Sequence, residues 1–194
     1  MNTKNDNTDE IEEEDLEKQH EVETFDAELR GMNVYATGEN IEILQEKGYY
    51  GEYNGEILKL EPIEALLLLE RNRIRVFAEE NKELSFKELS GYFVNRIPNF
   101  WTKFLVYKDL RSRGYIVRQG FGEDIEFRVY DRGAEIGKSS AKYLIHPVIE
   151  GRPLNLIDLS QITRIAKSSR KKLVLTVVDR QGEVTYYQCK EVLF

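Results

Sequence analysis

Four consecutive leucines, Leu66-Leu67-Leu68-Leu69, follow Glu61-Pro62-Ile63-Glu64-Ala65 and end at Glu70. A helix that carries leucine on every side cannot lie on a surface, so the rest of the chain must enclose this stretch. Pro62 suits a first helical turn, and Ile63, Leu66, Leu67 and Glu70 keep helical spacing, which predicts a helix over residues 62–71. No apolar run approaches the ~20 residues of a bilayer span. The first residues are acidic where a signal or transit peptide would be basic, so a soluble cytoplasmic protein is expected. The 194 residues, 41% of them hydrophobic, suffice for one or two domains. A lone cysteine, Cys189, makes no intrachain disulfide or cysteine zinc site, and is expected to act as a small hydrophobe.

The net charge of −7 conceals three segments of different sign. Residues 1–30 carry 12 acidic and 3 basic side chains, residues 31–95 carry 12 and 7, and residues 96–194 carry 11 and 18. The first segment contains Asp9-Glu10-Ile11-Glu12-Glu13-Glu14-Asp15 and is expected to stay a disordered, solvated tail. In the last segment Arg164, Lys167, Arg170, Lys171 and Lys172 fall within nine positions, an electrostatic footprint for a polyanion if they share a face.

Between these extremes the pattern predicts an α+β fold of two small α/β sub-domains. Residues 34–60 read as short strands broken by Gly38, Gly48, Gly51 and Gly55, with Tyr49, Tyr50 and Tyr53 as strand formers. Ser85 and Glu88 have the spacing of a capping box, so a second helix starts near Phe86. Ile97-Pro98 marks the boundary between an N-terminal unit, residues 31–97, and a C-terminal unit, residues 98–194. The second unit opens with a helix over 101–113 stopped by Gly114. Strands follow over 115–118, 125–130 and 142–148. A helix over 159–168, capped by Asp158 or Ser160, precedes a hairpin of 173–178 and 184–189 around Asp179-Arg180-Gln181-Gly182. The C-terminal unit is thus expected to be a mixed sheet flanked by helices, its last strand running over 186–194.

Several chemistries drop out at this level. His20 and His146 are the only histidines, too few for a dedicated zinc site. Gly120-Phe121-Gly122 lacks the continuation of a phosphate loop or a dinucleotide fingerprint, so no nucleotide cofactor is implied. Ser139-Ser140 has no nucleophile elbow around it. What remains is metal-free polyanion chemistry. RNA cleaves itself when its 2′-OH is deprotonated and attacks the adjacent phosphate, and a protein need supply only a base, a cation and an acid. Tyrosine can serve as the base when nearby positive charge lowers its pKa, and Tyr130 stands between Arg128 and Arg132.

Ordered motifs now carry a resemblance. Residues 104–117, containing Tyr107-Lys108-Asp109-Leu110 and Gly114-Tyr115, are followed by Phe127-Arg128-Val129-Tyr130-Asp131-Arg132-Gly133 and Ala141-Lys142-Tyr143-Leu144. Arg164-Ile165-Ala166, Ser169-Arg170-Lys171-Lys172-Leu173 and Gly182-Glu183-Val184-Thr185-Tyr186-Tyr187 come next. Upstream stand Gly48-Tyr49-Tyr50-Gly51-Glu52 and the leucine helix. Together, over about residues 32–194, these resemble the archaeal tRNA-intron splicing endonucleases.

The resemblance implies metal-independent, cofactor-free cleavage of precursor tRNA at a bulge–helix–bulge, leaving a 2′,3′-cyclic phosphate and a 5′-hydroxyl. It places Tyr130 on the family's general base, Lys171 on the lysine that stabilises the phosphorane, and Arg164 on an arginine that grips a bulged nucleotide, with Arg170 and Lys172 beside it on RNA. Ser140 stands where the family has its catalytic histidine, and a serine hydroxyl is a poor acid at neutral pH. His146, six residues on, would lie ~20 Å away along a strand. A second departure falls between Gly120 and Phe127, where Asp124 stands after one glycine fewer than is usual. Two hypotheses follow: a catalytic subunit whose proton donor differs, or a structural subunit of a heteromeric enzyme. An RNA-binding module of other purpose is the third. The family assembles as dimers or tetramers, so a homo-oligomer or a hetero-oligomer with a related subunit is implied. Asp179 and Glu183 are the candidates for an acidic loop that docks on a neighbour, and Leu193 and Phe194 for a pairing edge.

Overall fold

The computed structural model describes residues 23–121 and 125–192. Among them, two sheets and five helices form an α+β architecture. The first sheet contains β1 (Phe25–Arg30), β2 (Asn33–Thr37), β3 (Glu52–Tyr53), β4 (Leu58–Leu60), β5 (Ile74–Phe77) and β6 (Glu83–Leu84). Their order across the sheet is β3-β4-β2-β1-β5-β6. α1 (Ile43–Glu46), α2 (Pro62–Glu70) and α3 (Phe86–Val94) complete the N-terminal unit. The C-terminal unit opens with α4 (Phe100–Ser112), followed by β7 (Ile116–Phe121), β8 (Ile125–Tyr130), β9 (Tyr143–Ile149), α5 (Leu156–Ser168), β10 (Lys172–Val178) and β11 (Val184–Cys189). This second sheet is mixed, ordered β11-β10-β9-β8-β7, with β9 and β10 parallel across α5.

β1 corrects the sequence expectation of a tail reaching residue 30. Phe25 and Ala27 are buried while Asp26 and Glu28 are exposed, a period of two that the density of acidic residues concealed. The strand is central, antiparallel to β2 on one side and parallel to β5 on the other. The rest of the predicted tail, residues 1–22, lies outside the described residues.

α2 is buried as its leucines require. Ala65, Leu66, Leu67 and Leu68 are at most 1% exposed, and the helix packs against α3 and α4. A capping box between Glu61 and Glu64 and Pro62 in the first turn start it. The predicted box at α3 is present too: the Ser85 Oγ accepts from the Glu88 N–H at 3.3 Å, and the Glu88 carboxylate accepts from the Ser85 N–H at 2.9 Å. α5 starts one turn before the sequence expectation. Asn155 caps it, its Oδ1 accepting from the Ile157 N–H at 2.9 Å, so neither Asp158 nor Ser160 is the cap. The expectation of a terminal strand to residue 194 is also corrected, because β11 ends at Cys189. Beyond it, Glu191 turns to Lys167 of α5 at 2.7 Å, and Leu193 and Phe194 lie outside the described residues.

The two units share one core. A single cluster of buried side chains runs from Phe25 in β1 through Leu66 and Phe93 to Phe104 in α4 and on to Val174 and Val178 in β10. No helix among the described residues is long and apolar enough to cross a membrane.

Candidate functional site

Strand register assembles the candidate site at one end of the second sheet. Tyr130 is the last residue of β8 and pairs with Ile116 at the start of β7. The neighbouring Val129 pairs with Tyr143, the first residue of β9, and Tyr143 pairs with Lys172, the first residue of β10. Ser140 therefore stands just ahead of β9 and Lys171 just ahead of β10, at the same end as Tyr130. Two backbone bonds close this end: the Lys142 N–H donates to the Val129 carbonyl at 2.9 Å, and the Lys172 N–H to the Lys142 carbonyl at 3.0 Å.

Tyr130 is only 8% exposed and forms a small cluster with Ile116 and Ala141, against which Tyr49 and Ala134 pack. Ser140 is exposed. Beside them Lys142 pairs with Asp131 at 2.8 Å, a hydrogen bond that holds the ammonium above its ordinary pKa. Lys142 and Lys172 also flank the Tyr143 ring, at 5.5 and 5.9 Å from its centroid.

The C-terminus of α5 aims Lys171. The Lys171 N–H donates to the Ala166 carbonyl at 2.9 Å and the Arg170 N–H to the Lys167 carbonyl at 3.1 Å, the paired bonds of a Schellman motif. Arg170 occupies its left-handed position at φ 56°, where glycine is usual. Arg170 and Lys172 are exposed on either side of Lys171. Arg164, exposed two turns back along α5, lies near enough to Glu191 for its charge to help hold that carboxylate below the ordinary range, Lys167 being the larger cause.

The remaining candidates lie apart. Asp179 and Glu183 border the β10–β11 turn, ~20 Å away at the other end of β10. The Asp179 Oδ1 accepts from the N–H groups of Gln181 at 2.8 Å and Glu183 at 2.9 Å, so this carboxylate shapes its own turn. Residues 122–124, which include Asp124, lie outside the described residues. His146 pairs with Leu175 in the middle of the sheet, away from the site. The sequence pattern reads Tyr49 as a strand former, but it lies in the loop between α1 and β3, and its packing against the Tyr130 cluster, across 81 positions, has no signal in the local pattern.

Tyr130, Ser140 and Lys171 thus stand at one sheet end of an α+β protein, among the exposed cations Lys142, Arg170 and Lys172. Residues 100–186 match the catalytic C-terminal domain of the tRNA intron endonucleases and residues 25–90 match their N-terminal domain. The chain is 38% identical over 167 residues to the tRNA-splicing endonuclease of Pyrococcus abyssi, covering 86% of this chain and 95% of that protein. It is 35% identical over 144 residues to that of Methanothermobacter thermautotrophicus, covering 74% and 83%. With the enzyme of Methanosarcina acetivorans it shares 37% over 163 residues, 84% of this chain and 45% of that longer protein. The chain belongs to the tRNA intron endonuclease family.

Proposed function

We propose that this chain is a tRNA-splicing endonuclease subunit of the cytoplasm, cleaving precursor tRNA at bulge–helix–bulge junctions without a metal ion. The observation that carries this reading is the register that brings residues 130, 140 and 171 to one sheet end in a chain matching both family domains. Tyr130, entering the step as the phenolate, takes the proton of the 2′-OH and becomes the phenol, and the 2′-oxygen attacks phosphorus. Lys171 stabilises the added negative charge. The P–O5′ bond breaks, leaving a 2′,3′-cyclic phosphate and a 5′-oxygen that takes its proton from water. Arg164, Arg170 and Lys172 hold the RNA, a guanidinium being suited to stack on an unpaired base. The subunit works as a homo-oligomer or with a related chain, and β11, with Tyr187 54% exposed at the edge of the sheet, is the candidate pairing strand.

Ser140 favours a second reading, a structural subunit. Its hydroxyl is exposed where the family histidine is expected, and it is a weak donor to the leaving oxygen. End-labelled bulge–helix–bulge RNA, incubated in EDTA with the chain and with its Ser140→His variant, separates the two. Cleavage by the unaltered chain, ending in cyclic phosphate, supports a self-sufficient enzyme. Silence rescued by Ser140→His supports a site lacking only its donor, with a gain of about 100-fold or more. Silence of both supports the structural subunit.

A further inference from the structure

The loop Gly48-Tyr49-Tyr50-Gly51 belongs to the N-terminal unit, yet two arginines of the C-terminal unit hold it. Arg111 of α4 donates from Nη2 to the Gly48 carbonyl at 2.6 Å, and its guanidinium lies 4.2 Å from the centroid of the Tyr50 ring. Arg118 of β7 donates from Nη1 to the carbonyls of Tyr49 at 2.9 Å and Gly51 at 3.2 Å. From within the N-terminal unit, the buried Glu64 carboxylate accepts from the Gly51 N–H at 3.2 Å and faces Arg118 at 3.7 Å.

This loop has little freedom. A Cβ on Gly48 would sit 2.5 Å from the Tyr50 ring and 2.6 Å from the Leu44 carbonyl oxygen. One on Gly51, at φ 62°, would sit 2.5 Å from the Lys59 carbonyl oxygen. Between them Tyr49 is held at φ 55°, a conformation that an aromatic residue keeps only when its surroundings over-determine it. The strained residue is the one that packs against the cluster formed by Ile116, Tyr130 and Ala141.

We propose that Tyr49 is a positioning residue, through which the clamped loop of the N-terminal unit braces Tyr130 at the open end of its strand. Tyr130 is the last residue of β8 and has a strand partner, Ile116, on one side only; Ala141 and Ala134 complete its surroundings within the C-terminal unit, and Tyr49 adds packing from the other unit. In-line attack on phosphorus tolerates little error, and a displacement of ~1 Å costs ~100-fold in rate. The proposal rests on the reading of Tyr130 as the general base.

The test compares the full chain with Tyr49→Ala and Tyr49→Phe in two measurements. The first is the NMR signal of the 13C-labelled Tyr130 ring, assigned with Tyr130→Phe. The second is single-turnover cleavage of bulge–helix–bulge RNA, with the RNA Kd measured separately and Ser140→His present in every chain if the unaltered one is silent. Tyr49→Ala is expected to shift the Tyr130 signal and slow cleavage about 10- to 100-fold, with Kd within about twofold. Tyr49→Phe, which keeps the ring and loses the hydroxyl, is expected to restore both. An unmoved Tyr130 signal in Tyr49→Ala overturns the proposal, as does a loss that lies wholly in Kd. Should Tyr49→Ala fail to fold, Tyr49→Leu replaces it under the same criteria. If no chain cleaves even with Ser140→His, the reading of Tyr130 as the general base fails, and the Tyr130 signal alone decides whether Tyr49 braces that ring.

Discussion

At the scale of single residues, Arg170 sits in a backbone conformation that costs stability. The left-handed position of a Schellman motif favours glycine, and an L-residue there pays about 1–2 kcal/mol in contacts between its Cβ and the following carbonyl. Arg170 holds that position with its side chain exposed, one residue before Lys171. Arg170→Gly is therefore expected to raise the unfolding free energy by about 1 kcal/mol, read from urea melts. The same variant should bind RNA more weakly and with a salt slope smaller by about one ion, read from Kd at several salt concentrations. A gain in stability with unchanged RNA binding would remove Arg170 from the interface. The sequence showed the arginine and its basic neighbours. It did not show the backbone conformation, because the two bonds that impose it run from Arg170 and Lys171 back to carbonyls in the last turn of α5.

Among the elements, α2 carries the polar junction between the units. Burial raises the Glu64 pKa, while the Glu61 and Gly51 N–H groups and the Arg118 charge oppose that shift. A carboxyl whose pKa is raised on folding binds its proton more tightly in the native state. Its contribution to stability is thus greatest below the unfolded value of ~4.3, and falls as pH rises through the raised native value. Urea midpoints of the native chain should decline across that window relative to Glu64→Gln, which has no proton to lose. Glu64→Ala leaves Arg118 and the Gly51 N–H without this partner, and should cost about 3 kcal/mol at neutral pH. The buried helix around Glu64 was legible from its leucines and Pro62, and α3 from its capping box, since both signals lie within one turn. The start of α5 was not: Leu156 and Ile157, at 78% and 66% exposed, break the amphipathic pattern, so the periodic signal began a turn late.

For the whole molecule, the position of β1 determines what can be removed. Deletion of residues 1–22 takes away nine acidic side chains against two basic ones and spares every described strand, so the fold is expected to persist. Affinity for RNA should then rise at low salt and converge with that of the full chain as salt screens the difference. Deletion of residues 1–30 removes the strand between β2 and β5, and circular dichroism should show the loss of folded structure. The sequence by itself determined the order of helices and strands in the second unit and the closing hairpin, because periodicity and turn residues are local properties of the chain. Only the tertiary structure decided that the two units share one core through α4, that the acidic β1 is a central strand, and that Tyr49 reaches the Tyr130 cluster. Each of these depends on burial against residues far away in sequence, which no local pattern encodes.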